Sequence, residues 1–499
     1  MLALAQRRRR VSYPPGPPEK LFLGNALDVP SKMPWIKYLK WSKQFGDIIH
    51  LSAMNMHIVV LHKMEDIIEL MEKRSANYSS RPSIPISELL GSDGTTALIP
   101  YGDKWRKQRT ILQEGFKKEA MPLYHRVHTE KVHLFTDLLL RRPDQFKEHC
   151  KWLSAAVTVG TTFGYNIAAG KMDDQYVTTA ERITAALSPL LQPGGTLINV
   201  IPILGRVPTW VPGASTQRRA AEVKKLTLTY RDLGFEYAKR NLASIDVFCV
   251  LASTWLTDDL QLCGRLTDCV LTRVLQRRQS DEGSEFNDED AIKDSMAAVY
   301  LAGTETTQAS LLIFIMAMAL YPSVQRRAQA EIDKIVGADR LPEYYDRPSL
   351  SYIEALMRES MRWRLALPLA IPHMTVKDDV YKGFSIPKGT LVLPNGWALG
   401  RDESVYANPE DFDPERFLLP DGTLNDDRID FAFGYGRRIC PGRHMARDVL
   451  WMAMASVLAT FNISKATDKN GNEIDIDCDA FSSGLSRQVV DAFRQLTLN

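Results

Sequence analysis

The sequence predicts a mainly α protein with a small β-rich part, folded as one large domain. Segments in which apolar residues recur at helical spacing greatly outnumber short runs of β-branched residues. No internal repeat and no linker divides the middle of the 499-residue chain. The hydrophobic fraction of 45% is ordinary for a globular protein and predicts a large buried core.

The first hundred residues mix helices with the clearest predicted strands. Residues 34–45 have helical spacing that stops at Gly46. Residues 48–51 and 58–61 are rich in β-forming residues and predict a hairpin. Apolar residues then return at helical spacing over 64–73, which predicts a second helix.

Helical patterns dominate the middle of the chain, from 101 to about 241. Breaks are predicted near Pro189 and Pro193 and between 202 and 212. Short strands are predicted within 380–393, where glycine and proline punctuate β-forming residues. A helix over about 443–461 ends the regular pattern.

The longest apolar helix is predicted over about 290–320. Asn287 is the predicted N-cap, and Tyr321 followed by proline ends the pattern. At about 1.5 Å per residue the helix would be on the order of 45 Å long. Its apolar end, 311–320, is too short for a membrane span, so a buried core helix is expected.

Charge and cysteine usage exclude some classes of protein. The 62 Lys and Arg residues nearly balance the 60 Asp and Glu residues, so nothing indicates a nucleic-acid partner. Six cysteines without regular spacing argue against a disulfide scaffold and favour a reducing compartment.

The N-terminus, residues 1–30, is interpreted as the remnant of a membrane anchor. Residues 1–6 are apolar but too short to cross a bilayer. The basic block 7–10 is typical of the cytosolic side of an anchor, and the proline-rich run 14–18 is typical of a stiff spacer. A disordered basic tail is the alternative. Residues 31–499 would then form the catalytic domain.

Residues 244–275 are atypical within that domain. They contain Cys249, Cys263 and Cys269, at a spacing that does not match the paired cysteines of a zinc site. An ordinary helical connection, mistranslated sequence such as a retained intron, and a metal site all remain open for this segment.

The most informative segment is 431–442, which places Cys440 between glycines and ahead of a helical pattern. Gly436 and Gly442 allow close backbone approach, and Pro441 suits the first turn of the next helix. The positive end of that helix would favour a Cys440 thiolate. On these residues alone, a buried cysteine in a glycine-rich turn remains the alternative.

The pattern Phe433-x-x-Gly436-x-Arg438-x-Cys440-x-Gly442 resembles the haem-binding loop of the cytochrome P450 family at all five positions. The resemblance implies that Cys440 is the thiolate ligand of the iron of haem b. Such a thiolate pushes electron density toward the iron and favours O–O cleavage. Phe433 would shield the sulfur, and Arg438 would pair with a haem propionate.

A second motif lies inside the long helix, at 302–307. Gly303 costs roughly 1 kcal/mol in a helix interior and can leave room for a ligand. Glu305 and Thr306 place an acid beside an alcohol in a mostly apolar helix, where a satisfied polar turn is the alternative. The motif resembles the family's oxygen-activation turn. It implies that Thr306 hydrogen-bonds dioxygen and that Glu305 helps to relay protons.

Three further residues resemble the family's structural network. Glu359 and Arg362 lie three apart in a helical pattern, a spacing that occurs often by chance on helix surfaces. Arg416 lies in a Pro-Glu-Arg-Phe segment ahead of the cysteine loop. The resemblance implies a buried ion network that supports the loop.

Propionate partners are also implied. Trp105 and Arg109 share one helix face, although a solvated arginine beside a core tryptophan is the commoner arrangement in general. Their spacing resembles the family helix that contacts one propionate. His373 lies where many members have an arginine, and this departure implies pH-dependent pairing with the second propionate.

The resemblance covers about 14–461 and implies a monooxygenase of the fungal secondary-metabolism branch. Expected partners are O2, a hydrophobic substrate such as a terpenoid, and NADPH–cytochrome reductase, with cytochrome b5 as a further donor. Localisation on the cytosolic face of the endoplasmic reticulum membrane is expected. The alternatives are a haem-thiolate isomerase or dehydratase, and an inactive haem-binding gene product.

Two surfaces follow from these expectations. Basic residues near the haem loop would either form a solvated face or dock an acidic electron donor; they are Arg106, Lys107, Arg437, Arg443 and Arg447. Substrate contacts are expected from 90–100, 298–302, 367–369 and 483–485.

Overall fold

A computed structural model describes residues 12–30, 32–53, 56–191, 196–199, 201–255, 269–280, 288–478 and 496–498. Its α-helices, numbered in chain order, are α1 Pro34–Phe45, α2 Met64–Ile67, α3 Ser75–Tyr78, α4 Pro85–Leu89, α5 Asp103–Phe116, α6 His125–Arg141, α7 Phe146–Phe163, α8 Gln175–Leu191, α9 Ser215–Trp255, α10 Val270–Ser280, α11 Glu289–Leu320, α12 Pro322–Ile335, α13 Ser351–Trp363, α14 Gly396–Leu399 and α15 Arg443–Thr460. The strands are β1 Ile48–Ala53, β2 Met56–Leu61, β3 His373–Met374, β4 Asp379–Tyr381, β5 Phe384–Ile386, β6 Leu391–Pro394, β7 Ile463–Lys465 and β8 Leu496–Leu498. The predicted mainly α class with a small β part is confirmed.

Several helices begin or end at a residue that the sequence indicates. α1 ends at Gly46, whose φ of 100° suits glycine. The predicted helix 64–73 is α-helical only to Ile67 and continues as a π-helix over Ile68–Lys73. The predicted break near Pro189 falls slightly later, since α8 runs to Leu191.

The described chain forms two compact units, and the first comprises residues 1–82, 367–409 and 430–439. Its sheet has the strand order β1-β2-β6-β3. β1 and β2 form the predicted antiparallel hairpin, and β6 pairs with β2 in parallel. Alternating aliphatic residues bury one face against α1 in a core that contains Ile49, Val60 and Tyr38. The short strand β3 pairs with β6 and thereby fixes His373.

The second unit comprises residues 83–366, 410–429 and 440–499 and is built around α11. Asp288 caps this helix, since its Oδ1 accepts the Ala291 N–H at 3.0 Å. The predicted cap, Asn287, lies outside the described residues. The helix ends at Tyr321, as predicted, and packs against α5, α7, α9 and α15. Among the described helices, α11 is the one whose length and apolarity would allow a membrane span, and most of its apolar stretch is buried.

Two predictions fall largely outside the described residues. The apolar and basic segments of 1–10 are not described. Within 244–275, α9 reaches Trp255 and α10 begins at Val270, but residues 256–268 are not described. A single catalytic domain over 31–499 stays a prediction.

Candidate active site

Cys440 lies immediately before α15, in the second unit. The helix begins at Arg443 with Gly442 as its N-cap, so the prediction that Pro441 occupies the first turn is wrong. A proline two residues before the first helical residue still directs the chain into the helix without removing a helical N–H. The Cys440 carbonyl accepts a hydrogen bond from Arg443 Nη1 at 3.1 Å, which fixes the backbone beside the thiol.

The protein by itself does not favour a Cys440 thiolate. Burial raises the pKa of the thiol above its ordinary value. The hydrogen bond from the backbone of Gly442 and the charges of Arg109 and Arg443 oppose this shift without reversing it. A bound metal ion would supply the missing positive charge, because a coordinating thiol is deprotonated outright. Without that charge, the surrounding residues favour the protonated thiol over a free thiolate.

Helix α5 brings a buried cation toward Cys440. Trp105 and Arg109 are both buried, and Trp105 packs against Tyr101 with ring centroids 5.1 Å apart. Burial lowers the pKa of Arg109 to about 10, and the negative charge of an ionised Cys440 opposes this shift. A buried guanidinium of this kind is stabilised by an anionic partner.

The middle of α11 is more accessible than the C-terminal part of the helix. Tyr300 and residues 311–319 are buried, whereas Ala302 is exposed and 303–308 are partly exposed. Thr306 and Glu305 lie in this accessible stretch. Thr306 Oγ1 donates to the carbonyl of Ala302 at 2.9 Å, so its oxygen can accept a bond, and the proton becomes available when the side chain rotates.

Gly303 has a different role from the one expected. A Cβ at this position would lie 3.0 Å from Oγ1 and 3.1 Å from Cγ2 of Thr158, on α7. The glycine therefore allows two helices to approach closely. This close approach explains the glycine at position 303 without a ligand.

The first unit contains a cluster of buried basic side chains, Arg81, His373 and Arg438. Arg438 Nε donates to the Ser79 carbonyl at 2.8 Å. The His373 Nδ1 lies 2.7 Å from the Tyr78 carbonyl, so this nitrogen carries a proton. These bonds join the segment 78–81 to β3 and to Arg438 within the first unit.

Sequence reasoning did not find Arg81. Its Nη1 donates to the carbonyls of Ile371 at 2.7 Å and Pro372 at 2.8 Å. Nothing in the local pattern distinguishes this arginine from a surface one, because its partners lie about 290 residues away. Only a comparison of the two segments in space reveals it.

This basic cluster is electrostatically suited to an anion. Burial, followed by repulsion from Arg438, lowers the pKa of Arg81. Burial, followed by repulsion from Arg81, lowers the pKa of His373 and keeps its ring neutral. Carboxylates brought to the cluster would relieve the repulsion and raise both pKa values.

The two loop glycines serve different needs. Gly436 has φ of 53°, and a Cβ there would overlap with the carbonyl oxygen of Met71, so backbone packing requires the glycine. A Cβ on Gly442 would meet only Cys440 Sγ, at 4.0 Å, so the described residues alone do not require a glycine there. Room beside the thiol suits a bulky group at the sulfur. Phe433 ends the 3₁₀-helix Asp430–Phe433 and is partly exposed.

The structure brings Glu359, Arg362 and Arg416 together. Arg362 Nε and Nη2 donate to the two carboxylate oxygens of Glu359 at 2.6 and 2.7 Å. Arg416 Nε and the Asp413 N–H donate to Oε1 at 3.2 and 2.8 Å. Burial raises the pKa of the Glu359 carboxyl, and both guanidinium groups oppose that shift. The network ties α13 to the 3₁₀-helix Pro414–Phe417.

These features fit haem. Within the second unit, Cys440 offers a sulfur ligand, Arg109 offers a buried cation, and α11 offers an accessible polar stretch. The basic cluster of the first unit, taken by itself, offers further buried cations. Haem requires an axial ligand and cationic partners for its two propionates.

The chain resembles known proteins over nearly its whole length. The sequence profile described as Cytochrome P450 matches residues 14–482. The chain is 35% identical to cytochrome P450 monooxygenase ple1 of Rhodocybe pseudopiperita, over 97% of this chain and 89% of the relative. It is 33% identical to cytochrome P450 monooxygenase COX1 of Coprinopsis cinerea, over 96% and 91%. It is 34% identical to tryptamine 4-monooxygenase of Psilocybe cyanescens, over 97% and 92%.

Proposed function

Because the chain belongs to the cytochrome P450 family, is a haem-thiolate monooxygenase and binds haem b, we propose that it oxygenates a hydrophobic secondary metabolite. One atom of O2 would enter the substrate, and NADPH would supply electrons through a reductase. The observation that carries this proposal is the arrangement within one unit of Cys440, buried Arg109 and the accessible stretch of α11.

Cys440 is proposed as the iron ligand, with Gly442 leaving room beside it. Arg109, with Trp105 on the same helix, is proposed to hold one propionate. We propose that Arg438 and His373 pair with a propionate. Both side chains are buried, and the charge of Arg438 lowers the pKa of His373, so an anion beside them would be favourable. His373 would take up a proton when it pairs with the propionate, because its neutral ring already donates through Nδ1 to a carbonyl.

Haem, when bound, supplies dioxygen binding and electron storage. The protein side chains would donate protons at the site where dioxygen binds. Thr306 can rotate its hydroxyl away from the Ala302 carbonyl and donate it into the accessible space beside α11. Glu305, one residue earlier, can pass protons to that site through water. Positioned proton transfer of this kind is typically worth 10²–10⁴-fold in rate.

Glu359, Arg362 and Arg416 are proposed as structural residues. They contact each other and the backbone of 411–413, so their role is to hold the segment that leads to the cysteine loop.

The substrate class is proposed from the relatives and from the apolar composition of α11. The relatives are fungal monooxygenases, one of which is named for tryptamine. A terpenoid or another hydrophobic scaffold would contact the accessible part of 298–302. Contacts from 90–100 and 367–369 remain predicted, and 483–485 lies outside the described residues.

We propose that exposed apolar side chains of each unit contact a membrane, and that basic residues of the second unit dock the reductase. Leu21 and Phe22 of the first unit are largely exposed, as is Trp210 of the second, and exposed apolar side chains favour a lipid surface. Arg443 and Arg447 lie four residues apart on α15 and would attract an acidic donor.

The test of ligation is Cys440→Ala in the haem-reconstituted full chain. The thiolate-type absorption band of the reduced carbon monoxide complex should disappear, with or without loss of haem. Cys478→Ala is the matched control, because Cys478 is another free cysteine of the second unit and lies outside the proposed haem-binding loop. Retention of the thiolate band in Cys440→Ala would contradict the assignment.

The test of proton delivery is Thr306→Ala. Haem binding and NADPH oxidation should continue, while electrons are diverted from product to hydrogen peroxide. Thr304→Ala is the control, because Thr304 makes the same type of bond to its own helix, to the Tyr300 carbonyl at 2.9 Å. Equal product yield per NADPH in Thr306→Ala and the parent would refute the role.

A further inference from the structure

A chain of tyrosine rings crosses the second unit from α11 to its surface. Tyr300 of α11 lies 6.4 Å from Tyr176 of α8 and 5.1 Å from Tyr230 of α9, measured between ring centroids. Tyr176 in turn lies 4.5 Å from Tyr165, and Tyr165 lies 5.0 Å from Tyr237. The rings of Tyr300, Tyr176 and Tyr230 are buried, whereas Tyr165 and Tyr237 are partly exposed.

Packing alone does not explain the hydroxyl groups of these tyrosine rings. Among the described residues, neither Tyr176 Oη nor Tyr230 Oη has a hydrogen-bond partner. A buried polar group without a partner costs about 1–3 kcal/mol. Phenylalanine would fill the same space without that cost, so the phenols indicate a property that phenylalanine lacks. The property that separates the two rings most clearly is the ease of one-electron oxidation.

Tyr165, at the outer end of the chain of rings, has a proton acceptor beside its hydroxyl group. Tyr165 Oη donates to Asp174 Oδ2 at 3.0 Å, and Asp174 Oδ1 accepts the Tyr176 N–H at 2.9 Å. A phenol loses an electron much more easily when its proton can move to a base at the same time. Among the described residues, no base accepts a hydrogen bond from Tyr176 or Tyr230, so an oxidising equivalent that enters the chain of rings would settle on Tyr165.

The inner end of the chain of rings lies on the same helix as the proposed oxygen site. Tyr300 precedes Thr306 by six residues on one continuous helix, which is about 9 Å along the axis at 1.5 Å per residue. Closely spaced redox groups carry charge farther than a single transfer can, because transfer rates fall steeply with distance.

We propose that Tyr300, Tyr176 and Tyr165 form an oxidation path that drains an unused oxidising equivalent from the haem to the surface when no substrate is bound. This inference rests on the proposed monooxygenase function. One electron leaves Tyr165 through Tyr176 and Tyr300, and its phenolic proton moves to Asp174 Oδ2. The product is a neutral tyrosyl radical. A low-molecular-mass thiol returns a hydrogen atom to the phenoxyl oxygen and becomes a thiyl radical, while Asp174 releases its proton to water.

The experiment uses the full chain loaded with haem, without substrate, mixed with hydrogen peroxide and frozen rapidly for electron paramagnetic resonance. The parent protein should give a tyrosyl radical whose spectrum narrows when ring-deuterated tyrosine is incorporated. Tyr165→Phe and Tyr300→Phe should lose this signal, and haem bleaching should accelerate in both. Asp174→Asn should also lose it, because the proton acceptor is removed. Glutathione should quench the signal in the parent.

Tyr321→Phe is the matched control, because Tyr321 follows the opposite end of α11 and lies outside the chain of rings. It should retain the radical. Absence of a tyrosyl radical in the parent, or an unchanged signal in Tyr165→Phe and Tyr300→Phe, would overturn the path. The carbon monoxide spectrum separates this failure from failure of the proposed function, since a protein with an intact thiolate band but no radical would refute the path alone.

Discussion

Replacement of Glu359 by glutamine tests the buried ion network most directly. The glutamine keeps the shape of the side chain but removes the charge that Arg362 and Arg416 share. Glu359 and Arg362 are fully buried, and the side chain of Arg416 is 10% exposed. Two guanidinium groups would thus remain inside the protein without their carboxylate.

Breaking a buried pair by removing one partner costs about 3–5 kcal/mol. The entropy of unfolding is about 2.1 cal/mol/K per residue, which amounts to roughly 1 kcal/mol/K for a chain of 499 residues. Glu359→Gln should therefore lower the Tm by about 3–5 °C if the chain unfolds in one transition.

The assay is thermal unfolding of the haem-loaded protein at one pH, followed by calorimetry and by the haem absorption band. Glu415→Gln is the control, because it makes the same chemical change in the exposed pair Arg327–Glu415, whose side chains are 57% and 45% exposed. Exposed pairs contribute about 0–1 kcal/mol, so its Tm should change by about 1 °C or less.

Equal Tm changes in Glu359→Gln and Glu415→Gln would refute the argument, since burial would then confer no additional energy on the network. A large loss of stability with an unchanged haem band would support the contribution of the network to stability but contradict its proposed support of the cysteine loop.

Three further predictions concern backbone, charge and packing. Gly422 has φ of 82° and open space where a Cβ would lie, so Gly422→Ala should lower the free energy of unfolding by about 1–2 kcal/mol. Gly436→Ala should lower it clearly more, because the new Cβ would also overlap with the backbone of Met71, and the two Tm values measure the difference. Burial lowers the pKa of His128 to about 4, so the unfolded chain binds more protons than the folded one between about pH 4 and 6.5, and stability falls as the pH falls through that window. His128→Gln should reduce the loss of stability between pH 6.5 and 5 by about 2 kcal/mol, and an unchanged pH profile would contradict this. Gly303→Ala should destabilise the parent by overpacking but stabilise a Thr158→Ala background by about 1 kcal/mol, and the same sign in both backgrounds of a double-mutant cycle would refute the contact.

Features that depend on neighbouring residues could be predicted from the sequence. The cysteine loop is one continuous segment, and Glu359 and Arg362 face each other because they are three apart on a helix. The hairpin of β1 and β2, the end of α1 at Gly46 and the end of α11 at Tyr321 follow from local turn and capping chemistry. Family membership rests on the same local motifs and on similarity along the whole chain.

Tertiary structure decided everything that joins distant segments. It added Arg81 to the basic cluster, explained Gly303 by Thr158, and aligned the tyrosines of α8, α9 and α11. It also showed that burial raises the pKa of the Cys440 thiol, a shift that the helix terminus opposes. The physical reason is that periodicity reports which face of a helix is apolar, whereas burial, close approach and electrostatic coupling depend on which face of another element lies against it.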